Sequence, residues 1–412
     1  MPADFDAIIV GGGPAGSTCA RFLVRGGARV AVVDRAAFPR VKLCGGWLSR
    51  AIWDELDIRS GDYPGQLWEW NTCHVSYLGQ ERAIPCRGWF IRRYELDDYL
   101  LRASGAALHL GVAVQEQDVT RDTAGLWSVA GLRARHLIGA AGTHCPVARM
   151  LAPPRPNGPV GAQEHEFLAD RDAIAQTRAG QDGEPELLLH DDLRGYSWNV
   201  PKTDWLNVGS GTVDPGEVRA AWRHARAHFV ARAHVPPRSS ADLEPGAMKG
   251  HAYFLYHPAH VGAAVRVDPD RRGGVYLVGD SLGLAHPLTA EGILPAVISG
   301  RLAAEAILAG APDDYPARLA AHPVLADYRR LSRLTRAIAG RRGRRGPSFD
   351  RAPRSTPMPL RSWPARLGQR TLMNGFAWMF SGARLPAPRL VDAGLALAER
   401  WADNHRPRPA AS

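Results

Sequence analysis

Residues 6–34, DAIIVGGGPAGSTCARFLVRGGARVAVVD, decide the fold. A short apolar run (6–10) meets a glycine turn, then STCARFLVRGG reads as a helix and ARVAVVD as a second strand ending on Asp34. This is one βαβ unit, and its turn carries Gly11, Gly13 and Gly16 in the GxGxxG order. Each glycine has a separate physical task. Gly11 permits the tight turn, Gly13 lets the backbone approach a pyrophosphate, and Gly16 lets helix and strand pack closely. Pro14 and Ala15 open the helix, whose N-terminal N–H groups and dipole favour phosphate. Asp34 follows Gly16 at the spacing that places a carboxylate on the ribose hydroxyls, with Arg35 beside it. A carboxylate there repels a 2′-phosphate, so the fingerprint predicts FAD or NAD rather than NADP.

Two later segments select FAD. Residues 139–149, GAAGTHCPVAR, and 275–293, VYLVGDSLGLAHPLTAEGI, return to the strand–turn–helix pattern. The second strand ends on Gly279-Asp280, which places Asp280 to hydrogen-bond a ribityl chain. The helix start at Gly292 and Ile293 would face the pyrimidine end of a flavin, where negative charge develops on reduction.

The dinucleotide-binding segments therefore lie at both ends of the first 310 residues. We expect an α/β fold: a Rossmann-like FAD-binding domain with an inserted β-sheet substrate domain and a helical C-terminal region. The expected boundaries are 1–150 for the first part of the FAD domain, with an excursion toward the substrate domain at 65–90. The β-rich block covers 151–265, the second part of the FAD domain 266–320, and a helical, basic region 321–412.

Composition narrows the class. Hydrophobic residues at 45% and charged residues at 22% suit a globular chain, and no apolar run reaches the length of a membrane span. The N-terminus enters a strand at once, without a signal-peptide pattern, and the five cysteines include no CxxC pair. A cytoplasmic protein with reduced thiols and no structural metal is expected. The net charge of +10 is carried mainly by arginine. It fits simple solubility or an anionic partner, but no nucleic-acid motif accompanies it, and none is expected to bind. The run Arg341–Arg345 and the stretch NGFAWMFSGARL (374–385) suggest peripheral contact with anionic lipid, or else a solvated loop and a packed helix.

Here the chain resembles the geranylgeranyl reductase family, within the flavin enzymes related to aromatic hydroxylases and flavin-dependent halogenases. The resemblance spans most of residues 5–310. It rests on GGGPAGSTCA, FPRVKLCGG (38–46), RRYELDDYL (92–100), YSWNVPK (196–202), and GDSLGLAHPLTAEGI followed by SGRLAAEAI. It implies that Arg93 reaches the FAD and that backbone near Val112 and Val114 packs on the adenine. It also implies that Cys44, beside Lys42 and Gly45, lies near the flavin ring. The family usually has Asp where this chain has Ala141.

Several residues are candidates for chemistry. A thiol at Cys44 can protonate a substrate carbanion, or serve as a small apolar side chain. Lys42 can hold an anionic group. Tyr196 and Trp198 share one face of a strand and can wall a cavity for an isoprenoid or an aromatic ring. His190, His251, His257 and His286 are possible acids or bases, His286 foremost because it sits in the turn beside the flavin. Glu291 reads as an acid at a helix N-terminus.

The function implied is reduction or oxidation of a carbon–carbon bond in an isoprenoid or other conjugated substrate, by hydride transfer at flavin N5. The alternative is a monooxygenase or halogenase acting on an aromatic natural-product intermediate through a flavin hydroperoxide. A halogenase needs a lysine between flavin and substrate, for which Lys42 and Lys202 are the candidates. A flavoprotein without turnover is a third reading. No second GxGxxG is present, so electrons are expected from NAD(P)H without a second Rossmann domain, or from a partner reductase.

Overall fold

The computed structural model describes residues 3–177, 183–236, 243–244, 246–269, 272–341, 363–380, 382 and 385. Two eight-stranded sheets organise them.

The first sheet begins with the βαβ unit: β1 (Phe5–Val10), α1 (Pro14–Arg25) and β2 (Val30–Asp34). After β3 (Trp47–Leu48) and α2 (Ile52–Leu56) come β4 (Trp68–Tyr77), β5 (Gln80–Phe90) and α3 (Arg93–Arg102). Then follow β6 (Ala107–Leu110), β7 (Thr120–Arg121), β8 (Trp127–Val129), β9 (Leu132–Gly139) and α4 (Pro146–Leu151). The second sheet is completed by β10 (Val160–Leu168), α5 (Arg171–Ala175), β11 (Glu186–Leu189), β12 (Gly195–Lys202), β13 (Trp205–Thr212), α6 (Val218–Ala231) and β14 (Lys249–Tyr253). The chain then returns through α7 (Pro258–Gly262), β15 (Val265–Val267), β16 (Gly274–Leu277) and α8 (Ile293–Leu308). It ends in α9 (Asp314–Ala321), α10 (Pro323–Arg341) and α11 (Trp363–Phe380).

The first sheet runs β15-β16-β9-β1-β2-β6, parallel from β16 to β6, with β8 and β7 attached antiparallel beside β9. The buried stretches Ala7–Val10 of β1 and Val30–Val33 of β2 are continuous apolar runs because both faces are covered. Helices α1 and α8 press against one another. A Cβ on Gly300 would lie 2.2 Å from the Ala15 carbonyl oxygen, so only glycine allows that approach.

The second sheet runs β14-β10-β13-β12-β11-β4-β5-β3 and is antiparallel apart from the β11–β4 pair. The hairpin β4–β5 and the short β3 thus join the sheet formed by 160–253. One face packs on α6 through Trp222, Phe229, Val208 and Leu206. The other carries Trp70, Phe90, Trp198 and Val200, and α11 covers it with Met373, Ala377 and Phe380. All five cysteines are free. No helix among the described residues is long and apolar enough to cross a membrane.

Candidate active site

One continuous cavity of about 760 Å³ runs between the two sheets. It brings together Gly11, Gly13, Pro14, Ala15, Asp34, Arg35, Lys42, Cys44, Gly45, Arg93, Val114, Tyr196, Trp198, Asp280, Gly292 and Ile293. Gly16, Gly279 and His286 are not on its wall.

At one end two helix starts converge. Helix α1 begins after Gly13 with Pro14 and no side-chain cap, which leaves its N-terminal N–H groups free for phosphate. Gly11 holds φ at +113°, and a Cβ there would lie 2.5 Å from the Ala140 carbonyl. A Cβ on Gly16 would lie 1.9 Å from the Gly11 oxygen, so Gly16 serves helix–turn packing behind the cavity. Gly279 does the same at the second turn, with φ +59° and a Cβ position 2.9 Å from Ala15 Cβ. A Cβ on Gly13 would meet only Arg40, at an ordinary 3.6 Å, so that glycine leaves open space facing the cavity.

Asp34 accepts from the Gly12 N–H at 2.7 Å and the Ala36 N–H at 2.8 Å. It therefore braces the glycine turn, and a carboxylate retains acceptor capacity for hydroxyls beyond those two bonds. Helix α8 starts at Gly292, which has no side chain to cap it, and Glu291 Oε1 takes only the Leu294 N–H, at 3.4 Å. Asp280 faces it, 3.2 Å from where a Gly292 Cβ would stand. Burial raises its carboxyl above the ordinary range, against the pull of Lys42 and Arg93. Its carboxylate receives no hydrogen bond from the described residues, so it suits a donor supplied by a ligand such as a ribityl hydroxyl. Together the free helix starts, the open Gly13 and Asp280 fit an adenine dinucleotide bearing a flavin.

The Cys44–Gly46 loop lies between this cradle and the second sheet. Cys44 Sγ accepts from the Gly46 N–H at 3.3 Å. Asn207 Nδ2 donates to the Cys44 carbonyl at 3.2 Å, and Trp198 Nε1 donates to Asn207 Oδ1 at 2.8 Å. Trp198 is thus a wall that also fastens the loop. Arg93 is held by Asp97 through bonds of 2.6 and 2.7 Å, which leaves it as a fixed cation at the cavity edge.

Ala162, Leu187, Trp47, Tyr196, Trp198 and Phe380 give the wall a largely apolar part, which Glu164, His251 and Tyr253 accompany. Tyr196 donates to the Thr289 carbonyl at 2.5 Å and stands edge-on to Phe376 and Phe380, each with centroids 5.4 Å apart. Trp47 Nε1 donates to the Phe380 carbonyl at 2.8 Å. The stretch 374–385 therefore turns Phe376 and Phe380 inward, while Trp378 is exposed. Residues 342–345 of the basic run, with 381, 383 and 384, lie outside the described residues.

The structure places His286 off the cavity wall. Its Nδ1 accepts from the Leu288 and Thr289 N–H groups at 3.1 and 3.0 Å, and its ring packs on Tyr328. It organises the turn from behind the cavity wall. Of the other histidines, His251 lines the cavity, His257 caps α7, and His190 bonds Ser197 on the opposite face of the sheet. Lys202 is fully buried and tied to Glu166 at 2.6 Å, away from the cavity wall; Lys42 is on it.

Burial pushes His190 and His286 down to about 3, from an ordinary 6.5. Both are neutral in the fold and take up a proton when the chain unfolds below pH 6.5. Their stabilising contribution is complete above that pH and is lost as pH falls toward 3. Denaturant titrations should show stability falling by about 1 kcal/mol per pH unit for each ring across that window.

The sequence reading did not include Glu164, Tyr253, Trp47 and Phe380 among the site residues. Glu164 lies in VGAQEHEF, where alternation alone would assign acids to a solvated face.

Comparison with known proteins agrees with this geometry. Residues 4–48 match the FAD binding domain family. Over 342 residues the chain is 29% identical to the menaquinone reductase of Mycolicibacterium smegmatis, covering 75% of this chain and 78% of that protein. It is 29% identical to the geranylgeranyl diphosphate reductase of Rhodobacter capsulatus over 336 residues, covering 76% and 78%.

The chain is an FAD-dependent oxidoreductase related to the geranylgeranyl reductases.

Solved structures share this flavoenzyme's fold. A geranylgeranyl bacteriochlorophyll reductase-like protein from Thermoplasma acidophilum superposes with TM-score 0.56 at 18% identity, covering 97% of this chain and 98% of that one. A flavin-dependent brominase superposes with TM-score 0.64 at 19% identity, covering 96% and 99%.

Proposed function

We propose that this oxidoreductase reduces a carbon–carbon double bond in an isoprenoid or other conjugated apolar substrate. The observation that carries the reading is the continuity of the cavity: the dinucleotide cradle opens directly into a chamber walled by Trp47, Tyr196, Trp198 and Phe380. The named activities of the reductase relatives support the same substrate class.

Bound FAD, once reduced, supplies a hydride at N5. The protein's own residues do the rest. Gly13 and the start of α1 would hold the pyrophosphate, and Asp280 would take the ribityl hydroxyls. The start of α8 at Gly292 and Ile293 would stabilise negative charge developing on the ring. Arg93 and Lys42 add positive charge beside it. The aromatic walls grip a flat conjugated segment and exclude water. Cys44 lines the same cavity, and its thiol is the group we assign to the neighbourhood of the reacting carbons. Electrons would reach the flavin from NAD(P)H or a partner reductase.

The test is a single turnover without oxygen. FAD-loaded protein reduced photochemically is mixed with geranylgeranyl diphosphate or menaquinone, and product mass and flavin absorbance are followed. Gain of two hydrogens with return of oxidised flavin is the expected result. A product that gains oxygen or halide only on admitting air would overturn it in favour of oxygen chemistry.

A further inference from the structure

Glu164 is a buried acid on the cavity wall. It sits in β10, paired with Gly209 of β13, which pairs in turn with Trp198 of β12. All three positions therefore share the cavity face of the sheet. The side chain lines the cavity yet is 1% exposed, and its Oε1 is enclosed with no hydrogen-bond partner. A buried polar atom left unpaired is costly, and such groups in native proteins mark a site that something else completes.

The groups around it are cationic on several sides. Lys42 of the Cys44 loop, Arg93 of α3 and Lys202 of β12 pull on its charge, and Glu166 on its own strand opposes them. His251 of β14 and Tyr253 of the same strand line the same cavity. Burial outweighs these influences and raises the carboxyl to about 8, so it carries its proton at neutral pH. Two of the other acids on the wall are engaged. The Tyr196 hydroxyl donates a hydrogen bond to the Thr289 carbonyl, and Glu291 Oε1 accepts from the Leu294 N–H at the start of α8.

We propose that Glu164 is the proton donor of the reduction, presented from the sheet to the substrate chamber. The assignment rests on the double-bond reading above. One carbon of the double bond takes the hydride from reduced flavin, and its neighbour takes the Glu164 proton. The π bond is replaced by two C–H bonds, and the flavin is left oxidised. The remaining Glu164 carboxylate is held by Lys42, Arg93 and Lys202 until water returns a proton.

Three variants of the FAD-loaded protein test this: wild type, Glu164→Gln and Glu164→Asp, in anaerobic single turnover with geranylgeranyl diphosphate and with menaquinone. In wild type the rate should fall as pH rises through about 8, because the acid form is required. Glu164→Gln should lose about a hundredfold or more in rate and lose that basic limb. Glu164→Asp should retain an intermediate rate with a shifted limb. A readout independent of turnover is the infrared carbonyl band of protonated carboxylic acids at neutral pH, which should be weaker in Glu164→Gln than in resting wild type by the share of one carboxyl, since Glu291 is also raised, to about 7. A Glu164→Gln protein with the wild-type rate and basic limb, or with an unchanged infrared band, would overturn the proposal alone. A wild type that reduces neither probe, though its flavin is fully reduced, would overturn the double-bond reading and this assignment with it.

Discussion

Gly11→Ala is expected to yield protein that does not retain FAD. The backbone at Gly11 has φ +113°, where a side chain is strained whatever the space around it. There is also no space. A Cβ would lie 2.5 Å from both the carbonyl carbon and oxygen of Ala140 and 2.6 Å from the Ala141 nitrogen, all backbone atoms of the neighbouring strand end. The turn must therefore move, and with it the N-terminus of α1 and the Gly12 N–H that Asp34 holds. We expect a stability loss of roughly 3 kcal/mol or more, with flavin absorbance absent after gel filtration. Gly13→Ala provides the contrast. Its φ is −75° and the new methyl would touch only the flexible end of Arg40. That variant should fold normally and lose only the close approach to pyrophosphate. The cost of about one charge-assisted hydrogen bond corresponds to roughly tenfold to a hundredfold in FAD affinity. Normal FAD retention by Gly11→Ala would show that the turn is not the cradle we describe.

Lys202→Met should destabilise the protein by about 3 kcal/mol, the low end of what losing one partner of a buried ion pair costs. Lys202 is wholly enclosed and its Nζ lies 2.6 Å from Glu166 Oε2. Burial pushes the Glu166 carboxyl up, but Lys202 and Arg92 more than offset it and hold it below the ordinary carboxylate range. Removing Lys202 leaves Glu166 with Arg92 alone, whose Nε is 3.0 Å away. The same ammonium lies 2.7 Å from the point where a Gly46 Cβ would stand, so it also supports the loop that presents Cys44. The penalty should appear in urea unfolding and should shrink in the Lys202→Met, Glu166→Gln double variant, because the second change removes the stranded charge. Equal losses in single and double variants would show that methylene packing, rather than charge, is the source.

The first thirty-five residues made the dinucleotide turn legible because every constraint there is local. Strand, glycines, helix and acid follow one another within a single βαβ unit. Gly279-Asp280 and the start of α8 were legible for the same reason, as a second local strand–turn–helix. The hairpin at 68–90 showed its strands through alternation, but its membership of the sheet at 160–253 depends on pairing across a hundred residues, such as His74 opposite Glu186.

His286 shows where local reading misleads. Its position in the turn suggested contact with the flavin, but the chain folds its Nδ1 back onto two N–H groups of the same turn. The orientation of a ring is not encoded in spacing. Glu164 is the converse: an acid in an alternating strand, with nothing nearby in sequence to distinguish it from a solvated one.

By itself, then, the sequence determined the flavin-binding fold and the cofactor class, since phosphate recognition here is backbone chemistry that glycine positions write directly into the chain. Only the tertiary structure decided which side chains meet at the reacting end. Trp47, Glu164, Tyr196, Trp198 and Phe380 come from four separate segments, and what they face is set by the packing of one sheet against another and of α11 across it.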